Sequence, residues 1–397
     1  MIPRRRPYIY SGELADIDHW KHVNMKNNVN IVDMWEKTIA SYVRMPYTTA
    51  VSSGRFGMTL ILKYLNIGLN DEVIIPAYTL KDLIPLIKNM GAQVVPADVD
   101  LKTFNISPET IMRRITAKTK AILVLHAFGS PCSIKSIVSL AEQYGIPVIE
   151  DCAHSLGALI QHKQTGSFGY ASFFSFETTK PVNTFGGGMV TTKDAGLSKF
   201  IHSKISNSII DVSSVMKKIK AIRMERFLFA TGLGFPFLYL LATPSWKQKM
   251  NTLYRKFQQA SQENTKYLPI QASIGLKKLS SLKKRIALRK EKVSLLKSLL
   301  DPCIRIQSVE KGYKATWYFC VAILPCKASI VRKKMLLHGI DAGIEDEIAD
   351  NCATILGYND CPNVDSIFSR AIALPMYEDI SEQAIQKVAR VLNKIIR

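Results

Sequence analysis

What this chain lacks narrows the reading first. Its seven cysteines stand at 132, 152, 303, 320, 326, 352 and 361, and no two form a C-x-x-C pair. An odd count without paired spacing argues against a disulfide framework and a zinc site, and points to reduced thiols in a cytoplasmic setting. The first residues, MIPRRRPYIYSGELADIDHW, carry arginines with no apolar stretch behind them, so they do not read as a secretory signal. No run reaches the roughly 20 apolar residues of a transmembrane helix. Internal repeats and low-complexity tracts are missing as well. Acidic residues are in deficit: 32 Asp+Glu face 53 Lys+Arg, a formal charge of +21. That balance favours anionic partners such as nucleic acid, phosphorylated metabolites or an acidic membrane face, or else it is a generally basic solvated surface. No helix-turn-helix or zinc-finger pattern accompanies the charge, so nucleic acid is not expected as a partner.

What is present describes a globular protein. The chain has 397 residues, 47% of them hydrophobic and 21% charged, enough for a large core and two domains. From residue 47 short apolar strands and helices alternate: TTAVSS, then GRFGMTLILKYLNIG; DEVIIP, then TLKDLIPLIKNMG; AQVVPADVD, then SPETIMRRIT; KAILVLHAFG, then IKSIVSLAEQYG; then IPVIED. The pattern predicts an α/β fold whose mostly parallel sheet is covered by helices on both faces. In such sheets ligands bind beyond the carboxyl ends of the strands. After residue 192 the pattern changes. Residues 200–262 are lysine-rich and apolar without strand signals, a single long helix is expected from 271, TWYFCVAILP reads as a strand, and SEQAIQKVARVLNKIIR closes the chain as a helix. The expected domains are therefore 1–199, an insertion at 200–262, and a smaller α+β domain at 263–397.

Four features within this frame carry chemistry. Residues 173–190 read FFSFETTKPVNTFGGGMV and place Lys180 between a buried-looking aromatic run and three glycines. A desolvated lysine loses its proton more readily and becomes a nucleophile; a lysine snorkelling to the surface is the plain alternative. Asp151 ends the strand IPVIED, facing a ligand or capping a helix. The turn SSGRFG before a helix offers backbone N–H groups to a phosphate, or is an ordinary strand-to-helix turn. Ser175 adds a hydroxyl, as a phosphate donor or a turn serine. Together an amine, an acid and a phosphate turn match the needs of pyridoxal 5′-phosphate.

The ordered series SG, DEVIIPAYT, GAQVVPADVD, TKAILVLHAFGSPC, VIEDCAHSLGA, FFSFETTK and GGGMVTT resembles the DegT/DnrJ/EryC1/StrS family of sugar aminotransferases. The likeness runs from about residue 30 to 195 and resumes in QASIGLKKL and SRAIALPMYEDIS. It implies the fold type I of pyridoxal-phosphate enzymes, with a large domain and a smaller C-terminal one. By position, Lys180 is implied as the lysine that carries the cofactor, and Asp151 as the carboxylate facing its pyridine nitrogen. His154 falls near the ring hydroxyl, Ser175 and Gly54 at the phosphate, and Arg55 where the family has threonine. Leu80 stands where an aromatic residue usually stacks on the ring, with Tyr78 as the other candidate. NTKYLP stands where the family reads GYNYRM across a dimer interface, and GIDAGIEDEIADNC replaces a histidine-containing segment. Lysine at 180, rather than the histidine of the dehydratases in this family, implies transamination. The donor so implied is glutamate, the acceptor a nucleotide- or lipid-linked keto sugar, and the assembly a homodimer.

One stretch stands apart. Residues 227–243, FLFATGLGFPFLYLLAT, carry no charge and are flanked by MKKIKAIRMER and by Lys247, Lys249, Arg255 and Lys256. As a helix the stretch would span about 25 Å, short of a ~30 Å bilayer core. Basic flanks suit an interfacial segment on acidic lipid, at the inner face of the cytoplasmic membrane; a buried hairpin is the alternative. A non-catalytic, membrane-associated scaffold on the same fold is the competing function. A protein that stays colourless with added cofactor would favour it.

Overall fold

The computed structural model describes residues 1–22, 29–230 and 265–397. Its centre is a seven-stranded sheet of Tyr47–Val51, Glu72–Pro76, Gln93–Ala97, Thr119–Leu125, Val148–Asp151, Ala171–Ser175 and Gly188–Thr192. Across the sheet the order runs Tyr47–Val51, Gly188–Thr192, Ala171–Ser175, Val148–Asp151, Thr119–Leu125, Glu72–Pro76 and Gln93–Ala97. The last five in that order are mutually parallel, and Gly188–Thr192 runs antiparallel to both its neighbours. Successive residues of a strand point to opposite faces. Accordingly Ile74, Ile122 and Val124 enter one core, while Val73, Ile75, Ala121 and Leu123 enter the other. Two buried faces explain why these strands read as continuous apolar runs rather than alternating ones.

The parallel register fixes the site. Asp151 and Ser175 end neighbouring strands that run the same way, so both reach the same edge of the sheet. Ser53, at the end of the outer strand's extension, pairs with Gly187 and delivers the helix Gly54–Tyr64 to that edge too.

The single long helix expected from 271 is two helices, Pro269–Ser280 and Leu282–Leu299, broken at Ser281. Ser280 and Ser281 turn their hydroxyls back onto the carbonyls of Lys277 and Lys278, and Arg285 Nη2 takes the Lys278 carbonyl at 2.8 Å. Carbonyls drawn to side chains compete with the helical ladder. Beyond this break a four-stranded antiparallel sheet forms from Arg305–Ile306, Cys320–Ile323, Ala371–Leu374 and Gly343–Ile344. The closing helix Glu382–Ile396 packs against it, burying Ile385, Val388, Ala389 and Leu392 at one helical face.

The C-terminal part also reaches back. Asp350 and Asn351 pair antiparallel with Thr79 and Tyr78, and the Cys352 N–H donates to the Ala77 carbonyl at 2.8 Å. Within 200–262, the helix Val212–Ala230 buries Val215, Ile219 and Ile222 against Ile17, Phe185 and Ile274. Residues 231–243 of the uncharged stretch lie outside the described residues.

Candidate active site

Asp151 is 5% exposed. One of its oxygens accepts the Ala153 N–H at 2.9 Å, in a run of turns rather than a helix, so it is not a helix cap. Burial pushes its carboxyl up to about 6, against the opposing pull of that hydrogen bond and of the Lys180 and His126 charges. The adjacent Glu150 points the other way. Its carboxylate is saturated by the N–H groups of Gly166, Phe168 and Gly169 and by His126 at 3.0 Å. A ring nitrogen of His126 and an oxygen of Glu150 lie within 4.8 Å of the Cys152 sulfur, but with these bonds made the cluster acts as an internal brace for the strand.

Lys180 sits in a turn closed by its own N–H on the Glu177 carbonyl at 2.9 Å. Its Nζ lies 4.6 Å from the centre of the Tyr318 ring, and its charge acts on Asp151, His154 and Tyr318 alike. His154 is stacked between aromatics: Tyr318 at 4.3 Å and 17°, Phe128 at 6.1 Å and 16°. Burial and the nearby Lys180 cation push the His154 imidazole well below its ordinary value, so it is neutral. Its Nδ1 is buried with no hydrogen-bond partner. A buried polar atom without a partner costs free energy unless a ligand satisfies it.

The glycines make the third wall. Gly186 and Gly187 have φ of +123° and +93°, and a Cβ on Gly187 would stand 2.1 Å from the Tyr267 ring. Gly188 leaves no room either, since a Cβ there would be 2.6 Å from Gly54 N. A Cβ on Gly54 would lie 3.4 Å from that of Ser175. The structure thus brings Ser175, Gly54 and the start of an 11-residue helix together. Ser53 caps that helix, accepting the Phe56 N–H at 3.1 Å. The first-turn N–H groups and the helix dipole favour an anion there.

The other expected residues make contacts of their own. Arg55 is bound to Asp82 at 2.9 Å. Leu80 is 41% exposed. Tyr78 is fully buried, edge-on to Phe128 at 5.8 Å. In NTKYLP, Asn264 lies outside the described residues, while Tyr267 packs on Gly187 and bonds Thr184 Oγ1 at 2.8 Å. Two site residues escaped the sequence reading, Tyr318 and Phe128. Tyr318 lies in the strand-like TWYFCVAILP, far from Lys180 in sequence. Phe128 stands near the end of KAILVLHAFG, just past the strand Thr119–Leu125, where carboxyl-end position was the available signal.

The arrangement fits pyridoxal phosphate on its own terms: an amine beside a buried carboxyl, an unsatisfied ring nitrogen, and a glycine-lined anion turn. The comparisons agree. The model of the DegT/DnrJ/EryC1/StrS aminotransferase family matches residues 13–393. A dTDP-3-amino-3,6-dideoxy-alpha-D-galactopyranose transaminase of Aneurinibacillus thermoaerophilus is 39% identical over 48% of this chain and 55% of its own length. The chain thus spans about half the length of that curated relative. The spore coat polysaccharide biosynthesis protein SpsC of Bacillus subtilis is 26% identical over 100% of this chain and 97% of its own. Among solved structures, the aminotransferase TlmJ of Streptoalloteichus hindustanus superposes with a TM-score of 0.81 at 18% identity, covering 99% of this chain and 98% of that one. The fold and the matched length together establish that this chain belongs to the DegT/DnrJ/EryC1/StrS aminotransferase family, whose cofactor is pyridoxal 5′-phosphate.

Proposed function

We propose that this protein transfers an amino group from an amino-acid donor, glutamate, to a keto group of a nucleotide-linked sugar. The observation that carries the reading is the gathering of Lys180, Asp151 and the unsatisfied His154 Nδ1 at one sheet edge beside the glycine turn. When bound, pyridoxal phosphate supplies an electrophilic aldehyde and an electron-accepting ring. Lys180 Nζ supplies the amine that holds it and then the base that takes a proton from the donor's α-carbon. The Asp151 carboxylate would hold a proton on the ring nitrogen by opposite charge. His154 Nδ1 would be satisfied by the ring hydroxyl, and Ser175 Oγ with the first-turn N–H groups at Gly54 would hold the phosphate. A surface of net charge +21 suits a diphosphate-bearing acceptor. The Aneurinibacillus relative is named for a dTDP sugar, and a 39% identical Escherichia coli relative is a GDP-perosamine synthase. The test is Lys180→Ala assayed with glutamate and nucleotide-linked keto sugars. Amination should vanish, and its persistence would overturn the reading.

We also propose a peripheral membrane location. The helix Val212–Ala230 carries Lys217, Lys220 and Arg226 with Met224 and Phe227 each 62% exposed, and leads into the uncharged stretch 227–243. No helix among the described residues is long and apolar enough to cross a membrane. The protein should co-sediment with anionic vesicles, and deletion of 227–243 should abolish this. The homodimer implied by family resemblance is checked by analytical ultracentrifugation.

A further inference from the structure

Among the described residues, Tyr318 is the one aromatic ring that touches both Lys180 and His154. Its hydroxyl is bonded to Thr179 Oγ1 at 2.9 Å, next in sequence to the lysine. Its ring packs against both His154 and Phe319, each at 4.3 Å between centres. From the other side Arg289 Nη1 holds the Tyr318 carbonyl at 3.2 Å, and Arg289 is itself tied to Glu378. The residue is 6% exposed and has little freedom to turn away. A phenol so fixed against an amine is more than packing: a phenylalanine would fill the same space.

We propose that Tyr318 is a positioning residue that acts through Lys180, exchanging a proton with its amine so that Nζ is neutral when it attacks. The step is balanced within the pair. An N–H bond of the Lys180 ammonium breaks, an O–H bond forms on the Tyr318 phenolate, and two opposite charges become a neutral amine and a neutral phenol. The charged groups facing the phenol are Lys180 and Arg5, with the Thr179 hydroxyl beside them; His154, stacked on it, is neutral. Burial raises the phenol, but Lys180, Arg5 and the hydrogen bonds from Thr179 and Lys180 outweigh it and leave it below the ordinary tyrosine value. The proposal rests on the assignment of Lys180 as the cofactor-holding amine.

Two measurements test it. The first is the rate at which the cofactor-free protein takes up added pyridoxal phosphate, followed by visible absorbance across pH. Tyr318→Phe keeps the ring and its stacking. It should slow uptake by about 10²-fold, at the low end of general acid–base effects, and change the shape of the pH profile. Tyr318→His, which restores a proton acceptor, should recover part of the rate. The second is the ultraviolet tyrosinate titration of the cofactor-free protein, taken as wild type minus Tyr318→Phe. Its transition should lie below that of an ordinary tyrosine and rise when Lys180 is replaced by Met. Equal uptake by wild type and Tyr318→Phe at every pH, or a tyrosinate transition indifferent to Lys180, would overturn the proposal while leaving the aminotransferase reading intact. A wild-type protein that takes up no cofactor would sink both.

Discussion

Two regions of this site are built in opposite ways. The proposed cofactor side, from Asp151 to the Gly186–Gly188 turn, has little slack: strand ends set its carboxyl and hydroxyl, and Gly187 and Gly188 have a ring or backbone where a Cβ would go. The facing strip, Tyr78–Asp82, is held by reversible polar contacts. Lys81 N–H donates to Asp350 at 2.9 Å, Lys81 Nζ lies 3.6 Å from the same carboxylate, and Arg55 pairs with Asp82. Tight packing tolerates no change of shape, whereas a part-exposed pair such as Arg55–Asp82 can be exchanged at small cost. The difference shows where a substitution meets packed atoms and where it meets only polar contacts.

The comparison can be broken most severely at Asp151. Asp151→Asn should lower amination by roughly 10²–10³-fold, the range for losing one electrostatic partner of the reacting group, measured as kcat/KM. Next is Gly187→Ala, which places a methyl into the Tyr267 ring and strains a left-handed φ. A loss of about 3 kcal/mol or more is expected in urea unfolding, and a loss under about 0.5 kcal/mol would show that the glycine turn has slack after all.

Asp151 also gives a pH signature. Its folded-state carboxyl is raised to about 6, above the ordinary ~3.9. The folded chain therefore binds more protons than the unfolded one in that window. Stability of the cofactor-free protein should fall as pH rises from about 4 to 6 and level off above, by up to about 3 kcal/mol. In Asp151→Asn that slope should be missing, and the variant should be the more stable chain at neutral pH.

On the facing strip the effects shrink. Asp350→Ala should cost about 1–3 kcal/mol, because the part-buried Lys81 N–H loses its acceptor, and should raise the acceptor KM more than it lowers kcat. Arg55→Ala removes a part-exposed ion pair worth about 1 kcal/mol or less. Equilibrium dialysis should find cofactor affinity nearly unchanged. A tenfold loss of affinity would instead make Arg55 a phosphate ligand and bring the two regions closer in kind.

The sequence made the first region legible and left the second obscure, for a physical reason. Asp151, Ser175 and Gly54 occupy the ends of short elements whose direction follows from the alternation of strands and helices. Lys180 stood out because a cation followed Phe173, Phe174 and Phe176. The helix break at Ser281 was hidden, because Ser-Ser reads as a tolerable helix pair until Arg285 competes for the same carbonyls. Tyr318 and Asp350 were hidden more deeply. Each meets its partner across a distance in sequence that periodicity does not span: Tyr318 to Thr179, and Asp350 to Lys81.

That separation has a consequence for how the protein is made. Tyr318 lies 138 positions after Lys180 in the chain. During synthesis the central sheet and its lysine are complete well before the ring that covers them has been translated. A nascent or truncated chain would therefore present a bare, unscreened amine to any aldehyde in the cell.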